Sequence, residues 1–107
     1  MRVVVVTFRA HAGDGARLIE ALDAILPDTA GFPGSLGVEL LRDGEDGDQV
    51  TMIERWETPD AYVAYRAWRA SQPPTETGSL LASPPLMSNL EPVGLYGDPN
   101  AQLGQEG

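Results

Sequence analysis

The 107-residue sequence contains no cysteine, which removes disulfide bridges, thiolate nucleophiles and zinc–thiolate sites together. It contains no lysine either. All seven basic residues are arginine, so Schiff-base chemistry and the lysine of a phosphate-binding loop are excluded. Histidine is limited to His11, and "PGSLG" around Ser35 departs from a nucleophile elbow because Pro33 takes the place of the first glycine. Acidic residues outnumber basic ones 16 to 7, and a formal charge of -9 opposes binding to nucleic acid or an anionic membrane. No apolar run approaches the ~20 residues that span a bilayer. The opening "MRVVVVTFRAHAG" has too short an apolar stretch for a signal peptide, so a soluble, cytoplasmic protein is expected. At 42% hydrophobic residues the chain suits one globular domain over residues 1–97, with a polar tail at 98–107 expected to be loose.

What is present alternates between strands and helices. "VVVVTF" (Val3 to Phe8) is apolar at both parities and reads as a strand buried on both sides. "GDGARLIEALDAILP" opens with a cap at Asp14, shows Leu18, Leu22 and Ile25 at helical spacing, and is expected to stop at Pro27. "SLGVELLR" and "QVTMIERW" read as strands joined by the acidic turn "DGEDGD". A calcium loop over Asp43 to Glu54 fails, because Gly47 stands where a ligand is needed and Asp48 where glycine is needed. Thr58 and Pro59 start a second helix that runs to about Ala70. "TETGSLLAS" reads as a short helical turn, and "PLMSNLEPVGLYG" as a last strand that Pro92 confines to an edge or a bulge. The order β-α-β-β-α-β is the ferredoxin-like α+β arrangement, an antiparallel sheet with helices on one face. Its other face, lined by valines, calls for a second subunit.

"RWETPDAYVAYRAW" (residues 55–68) holds Trp56, Tyr62, Tyr65 and Trp68, four of the seven aromatic residues. Tyr62, Tyr65 and Trp68 at i, i+3, i+6 form one stripe of the second helix, and Val63, Ala67 and Ala70 form a stripe of small side chains. Small residues suit close packing on the sheet, which would turn the ring stripe toward a cavity, a partner or the remaining core. Tyrosine and tryptophan carry polar tips that need partners when buried, and Arg66 and Arg69 flank the stripe. Apolar walls with convergent donors describe a pocket for a planar, oxygenated aromatic ligand, with plain core packing as the alternative. His11, just past the first strand, reads as a solvated loop imidazole, or else as a distal base or ligand. The carboxylates are scattered or in turns and read mostly as solubilising charge.

The motifs "PGSLG" at Pro33 to Gly37, "RDGED" at Arg42 to Asp46 and "WETPDAY" at Trp56 to Tyr62, in this order, resemble the antibiotic-biosynthesis monooxygenase family. The resemblance covers roughly residues 2 to 96. It implies a dimeric α+β barrel, a homodimer whose sheets pack face to face, with a pocket in each subunit. Some such proteins oxidise polyketide anthrones or quinols with O₂ and no cofactor, and Trp56 and Tyr62 stand where those carry pocket-lining Trp and Tyr. Met52 takes the position of their Asn four residues before the Trp, and Tyr65 that of a helix His. Haem-degrading relatives use a helix His, and this chain has none after His11.

The function implied is a cofactor-independent monooxygenase acting on a polycyclic phenolic substrate of anthrone or quinol type. Trp56 and Tyr62 would hydrogen-bond the substrate oxygens, and Tyr65, Trp68 and Met52 would form the wall. Arg66 or Arg69 would stabilise charge, and His11 is the candidate base. A non-catalytic binding or auxiliary protein, a flavin-assisted oxygenase and a polyketide cyclase of the same fold are the alternatives.

Overall fold

The computed structural model describes residues 1–97; the expected loose tail lies outside the described residues. The chain forms β1 (Arg2–Arg9), α1 (Gly15–Ala30), β2 (Ser35–Arg42), β3 (Gln49–Trp56), α2 (Pro59–Ser71), a 3₁₀ turn (Glu76–Leu80) and β4 (Leu86–Leu90). The strands make one antiparallel sheet in the order β2-β3-β1-β4. This is the ferredoxin-like fold expected from the alternation. β4 lies at the edge and ends before Pro92, which has no N–H to give a ladder.

Register divides the sheet residues between two faces. Val4, Val6 and Phe8 of β1 and Val50, Met52 and Trp56 of β3 join Leu18 and Leu22 of α1 and Tyr62 and Tyr65 of α2 in one core. On the other face Val3, Val5 and Ile53 are half-buried, while Leu41, Leu86 and Leu90 are exposed. Among the described residues no helix covers that face, since Leu18 and Leu22 as well as Tyr62 and Tyr65 pack on the opposite one.

Two expectations about α1 are corrected. The helix runs through Pro27 to Ala30, although an interior proline removes a hydrogen bond and clashes with the preceding turn, a cost of ~3 kcal/mol. Its last turn carries Thr29, fully buried and hydrogen-bonded to α2, and that anchorage outweighs the local preference. At the other end Asp14 makes no side-chain cap bond. Asp48, from the acidic turn, does the capping instead: its carboxylate accepts the N–H of Gly13 at 3.0 Å and of Gly15 at 2.9 Å. The turn is shaped by Asp43, which accepts two backbone N–H groups, and is joined to β1 by an Arg9–Asp46 ion pair. In α2, by contrast, Thr58 caps as expected, accepting the Ala61 N–H at 3.1 Å.

The long-range cap gives a test. Asp48→Ala leaves both N–H groups without their acceptor and should lower the unfolding free energy by about 1–2 kcal/mol. Gly15→Ala should cost more, because a Cβ there would run into the carbonyl oxygen of Gly47. Urea denaturation of both variants checks the order.

Candidate active site

The inward parity of β3 reads Val50, Met52, Glu54, Trp56, so a carboxylate stands in a row otherwise apolar. Glu54 lies opposite Val4 on β1 and Val38 on β2, and only 3% of it is exposed. Above it, between sheet and helices, is a cavity of about 190 Å³. Val6, Phe8, Leu22, Ile25 and Met52 give it apolar walls, and Glu54, Tyr62, Tyr65, Arg66 and Arg69 place polar groups along it. Thr75, Thr77, Pro85 and Met87, from the chain beyond α2, complete the lining.

Most polar groups are held by specific partners. The Trp56 indole N–H donates to Glu54 Oε1 at 3.1 Å. Among the described residues no donor reaches Oε2. Burial between apolar neighbours pushes the Glu54 carboxyl above the usual glutamate range, opposed by the Trp56 bond and by the charges of Arg66 and Arg69. The Tyr62 hydroxyl is likewise pushed up, mainly by burial, and donates to the Met87 sulfur at 3.1 Å. Arg69 donates through Nε to the Tyr65 hydroxyl at 3.1 Å and through Nη2 to Thr29 Oγ1 at 3.0 Å. Thr29 and Tyr65 are themselves 2.8 Å apart, so the three side chains close a triangle between α1 and α2. The guanidinium also lies over the Trp68 ring, 4.8 Å from its centroid. Thr77 Oγ1 is buried in the cavity wall without a bond from the described residues.

Tyr62, Tyr65, Arg66, Arg69 and Met52 therefore share one cavity, with exposed Arg66 at its rim. Trp56 and Trp68 do not line it. Trp56 is fully buried and its N–H is engaged by Glu54, which takes away the donor role expected of it toward a ligand. Trp68 follows Tyr62 by six positions, which on a helix is a rotation of about 120°. It turns to the flank and packs on Phe32, ring centroids 5.5 Å apart. His11 is exposed beyond β1, its backbone N–H bonded to Leu80, and is not part of the lining. The two stripes of α2 are exchanged relative to expectation. Val63, Ala67 and Ala70 face outward, and the tyrosines pack on the sheet, where large rings can bridge the wider gap above the cavity.

Sequence reading passed over Glu54 and Thr29. Each had a visible signal: Glu54 sits at the apolar parity of a strand, and Thr29 continues the Leu18, Leu22, Ile25 stripe past Pro27. Burial raises the carboxyl, so the folded protein holds this proton more tightly than the unfolded chain. The stabilisation this gives is complete at low pH. It is lost as pH rises from the unfolded value of about 4.3 through the folded one. Glu54→Gln keeps an acceptor for Trp56 without the charge. Its Tm relative to wild type should climb over that interval and then level off, as a thermal-shift series across pH would record.

The sequence model of the antibiotic biosynthesis monooxygenase family matches residues 1–73. No curated protein sequence matches. Among solved structures, SnoaB, a cofactor-independent oxygenase from Streptomyces nogalater, superposes with a TM-score of 0.75 at 18% identity, over 91% of this chain and 97% of that one. A protein of Pseudomonas aeruginosa gives 0.72 at 22% identity over 87% and 94%. One of Mycobacterium tuberculosis gives 0.70 at 22% identity over 90% and 98%. These likenesses establish a shared fold, and with the match over residues 1–73 the chain belongs to the antibiotic biosynthesis monooxygenase family.

Proposed function

We propose that the protein is a monooxygenase that oxidises a fused-ring phenol of anthrone or quinol type with O₂, without a resident cofactor, in secondary metabolism. The observation that carries this reading is the apolar cavity over which a carboxylate, two tyrosines and two guanidinium groups converge. A phenolate is electron-rich enough to reduce O₂ directly, so the protein's task is to hold that anion in place and keep water out. Arg69, fixed by Thr29 and Tyr65, presents positive charge without needing to reorganise, and Arg66 adds charge from the rim. The Tyr62 hydroxyl exchanges the Met87 sulfur, a weak acceptor, for the substrate oxygen. A cavity of about 190 Å³ is smaller than the ~300–1,000 Å³ of typical ligand pockets. A small fused-ring phenol such as the bicyclic α-naphthol suits that size. The family membership and the likeness to a cofactor-independent oxygenase support the same reading.

The test is oxygen uptake with α-naphthol. Wild type should consume O₂ under air without added flavin. Tyr62→Phe and Arg69→Gln should each lose about 10²-fold in rate, and His11→Ala should retain it. Binding of α-naphthol without uptake would make the protein a binding module, and uptake only with reduced flavin would make it a flavin-assisted oxygenase.

The same reading includes a homodimer formed through the open sheet face, where Val3, Val5, Ile53 and Leu41 otherwise meet water. Sedimentation should give twice the chain mass at micromolar concentration. Ile53→Glu should give a folded monomer.

A further inference from the structure

Among the described residues Glu54 is the one carboxylate on the cavity wall. A buried carboxylate that served only the fold would bring both oxygens to donors, because an unpaired one is costly. Here Trp56 binds Oε1 alone. The group is neither an ion pair nor a solvated side chain: Arg66 and Arg69 act on it through space, without a hydrogen bond. The other charged group on this side of the sheet is Arg2, at the inward parity of β1 opposite Trp56, whose charge acts on the Tyr62 hydroxyl. β1 and β2 place Val4 and Val38 beside it, α1 brings Leu22, Ile25, Leu26 and Thr29 to the cavity, and β4 brings Met87. From α2 come Tyr62, Tyr65 and the two arginines.

We infer that Glu54 is the catalytic residue that takes the proton from the substrate hydroxyl and returns it to the oxygen-derived intermediate, its Oε2 facing the cavity while Trp56 holds Oε1. This assignment rests on the oxygenase reading. With a phenol whose para carbon carries hydrogen, the steps balance. The carboxylate takes the O–H proton, leaving a phenolate and a neutral acid. The phenolate gives one electron to O₂, and the phenoxyl radical and superoxide combine at the para carbon to form a C–O bond. The resulting peroxide anion takes the proton back from Glu54. Glu54 then removes the ring proton from the same carbon as a C=O bond forms and the O–O bond breaks. The departing hydroxide takes that proton as water. Overall, phenol and O₂ give a para-quinone and water, the substrate supplying all four electrons. Burial suits the residue to this work, because a carboxyl raised above the usual glutamate range is a stronger base than a solvated one and still returns the proton.

Glu54→Gln distinguishes a proton acceptor from a structural residue, since glutamine stands for the carboxylic acid present after proton transfer. The probes are para-nitrophenol for ionisation and α-naphthol for turnover. At mildly alkaline pH the wild type must bring para-nitrophenolate against a carboxylate, and the variant need not. E54Q should therefore bind para-nitrophenolate about tenfold or more tightly. It should oxidise α-naphthol about 10²-fold or more slowly. Nitrophenolate affinity of the wild type should fall as pH rises through the ionisation of Glu54, and that of E54Q should not. Equal or weaker nitrophenolate binding by a folded E54Q overturns the assignment, as does a wild-type rate of α-naphthol oxidation in the variant. If E54Q shows the tighter binding but wild type consumes no oxygen, the proton acceptor stands and the oxygenase reading falls.

Discussion

The hydrogen-bonded triangle of Thr29, Tyr65 and Arg69 is the constraint on which the site depends. It joins the last turn of α1 to the second half of α2, from Tyr65 to Arg69, at the end of the cavity. A short side chain on one helix and two long ones on the other set the separation of the helices. An apolar contact there would let them close on the sheet, because nothing in hydrophobic attraction fixes a distance. Each of the three groups has a partner, so the network meets the condition under which buried polar groups add definition to a core. That α1 continues through Pro27 follows from the same demand. The proline costs helix stability, but stopping there would remove Thr29 from the triangle.

Around this frame the polar groups divide by how firmly they are held. Arg69 and Tyr65 are committed to protein partners on both helices. Glu54 and Tyr62 are half committed, each with one weak or incomplete arrangement: one carboxylate oxygen left without a donor, and a hydroxyl resting on sulfur. A ligand oxygen is a better partner than either of these. The arrangement therefore keeps Arg69 fixed and leaves Glu54 and Tyr62 able to change partners.

Much of this was legible in the sequence, for identifiable reasons. The run of β-branched residues in Val3 to Phe8 and the Thr58-Pro59 start of α2 are local signals, and local signals were sufficient for the order of elements along the chain and for the second helix. The cap of α1 was not local: Asp48 is 33 positions from Gly15, and no pattern in the chain announces that approach. The inward face of α2 was misjudged because small residues were assumed to mark close packing. The packing is not close there, since a cavity intervenes, and the tyrosines span it. Glu54 was passed over because it was counted among scattered acids and not against its strand's parity. Read by parity, it stands among Val50, Met52 and Trp56, where a charge is exceptional.

The cavity draws its walls from two very different parts of the chain. One part is the core formed by β1, β3, α1 and α2, whose residues also keep the protein stable. The other is the stretch carrying Thr75, Thr77, Pro85 and Met87, which lies beyond the residues 1–73 that the family pattern covers. Most of that stretch is exposed, so substitutions there cost little folding energy. Shape and polarity of the cavity can thus change at these positions while the fold beneath is left intact.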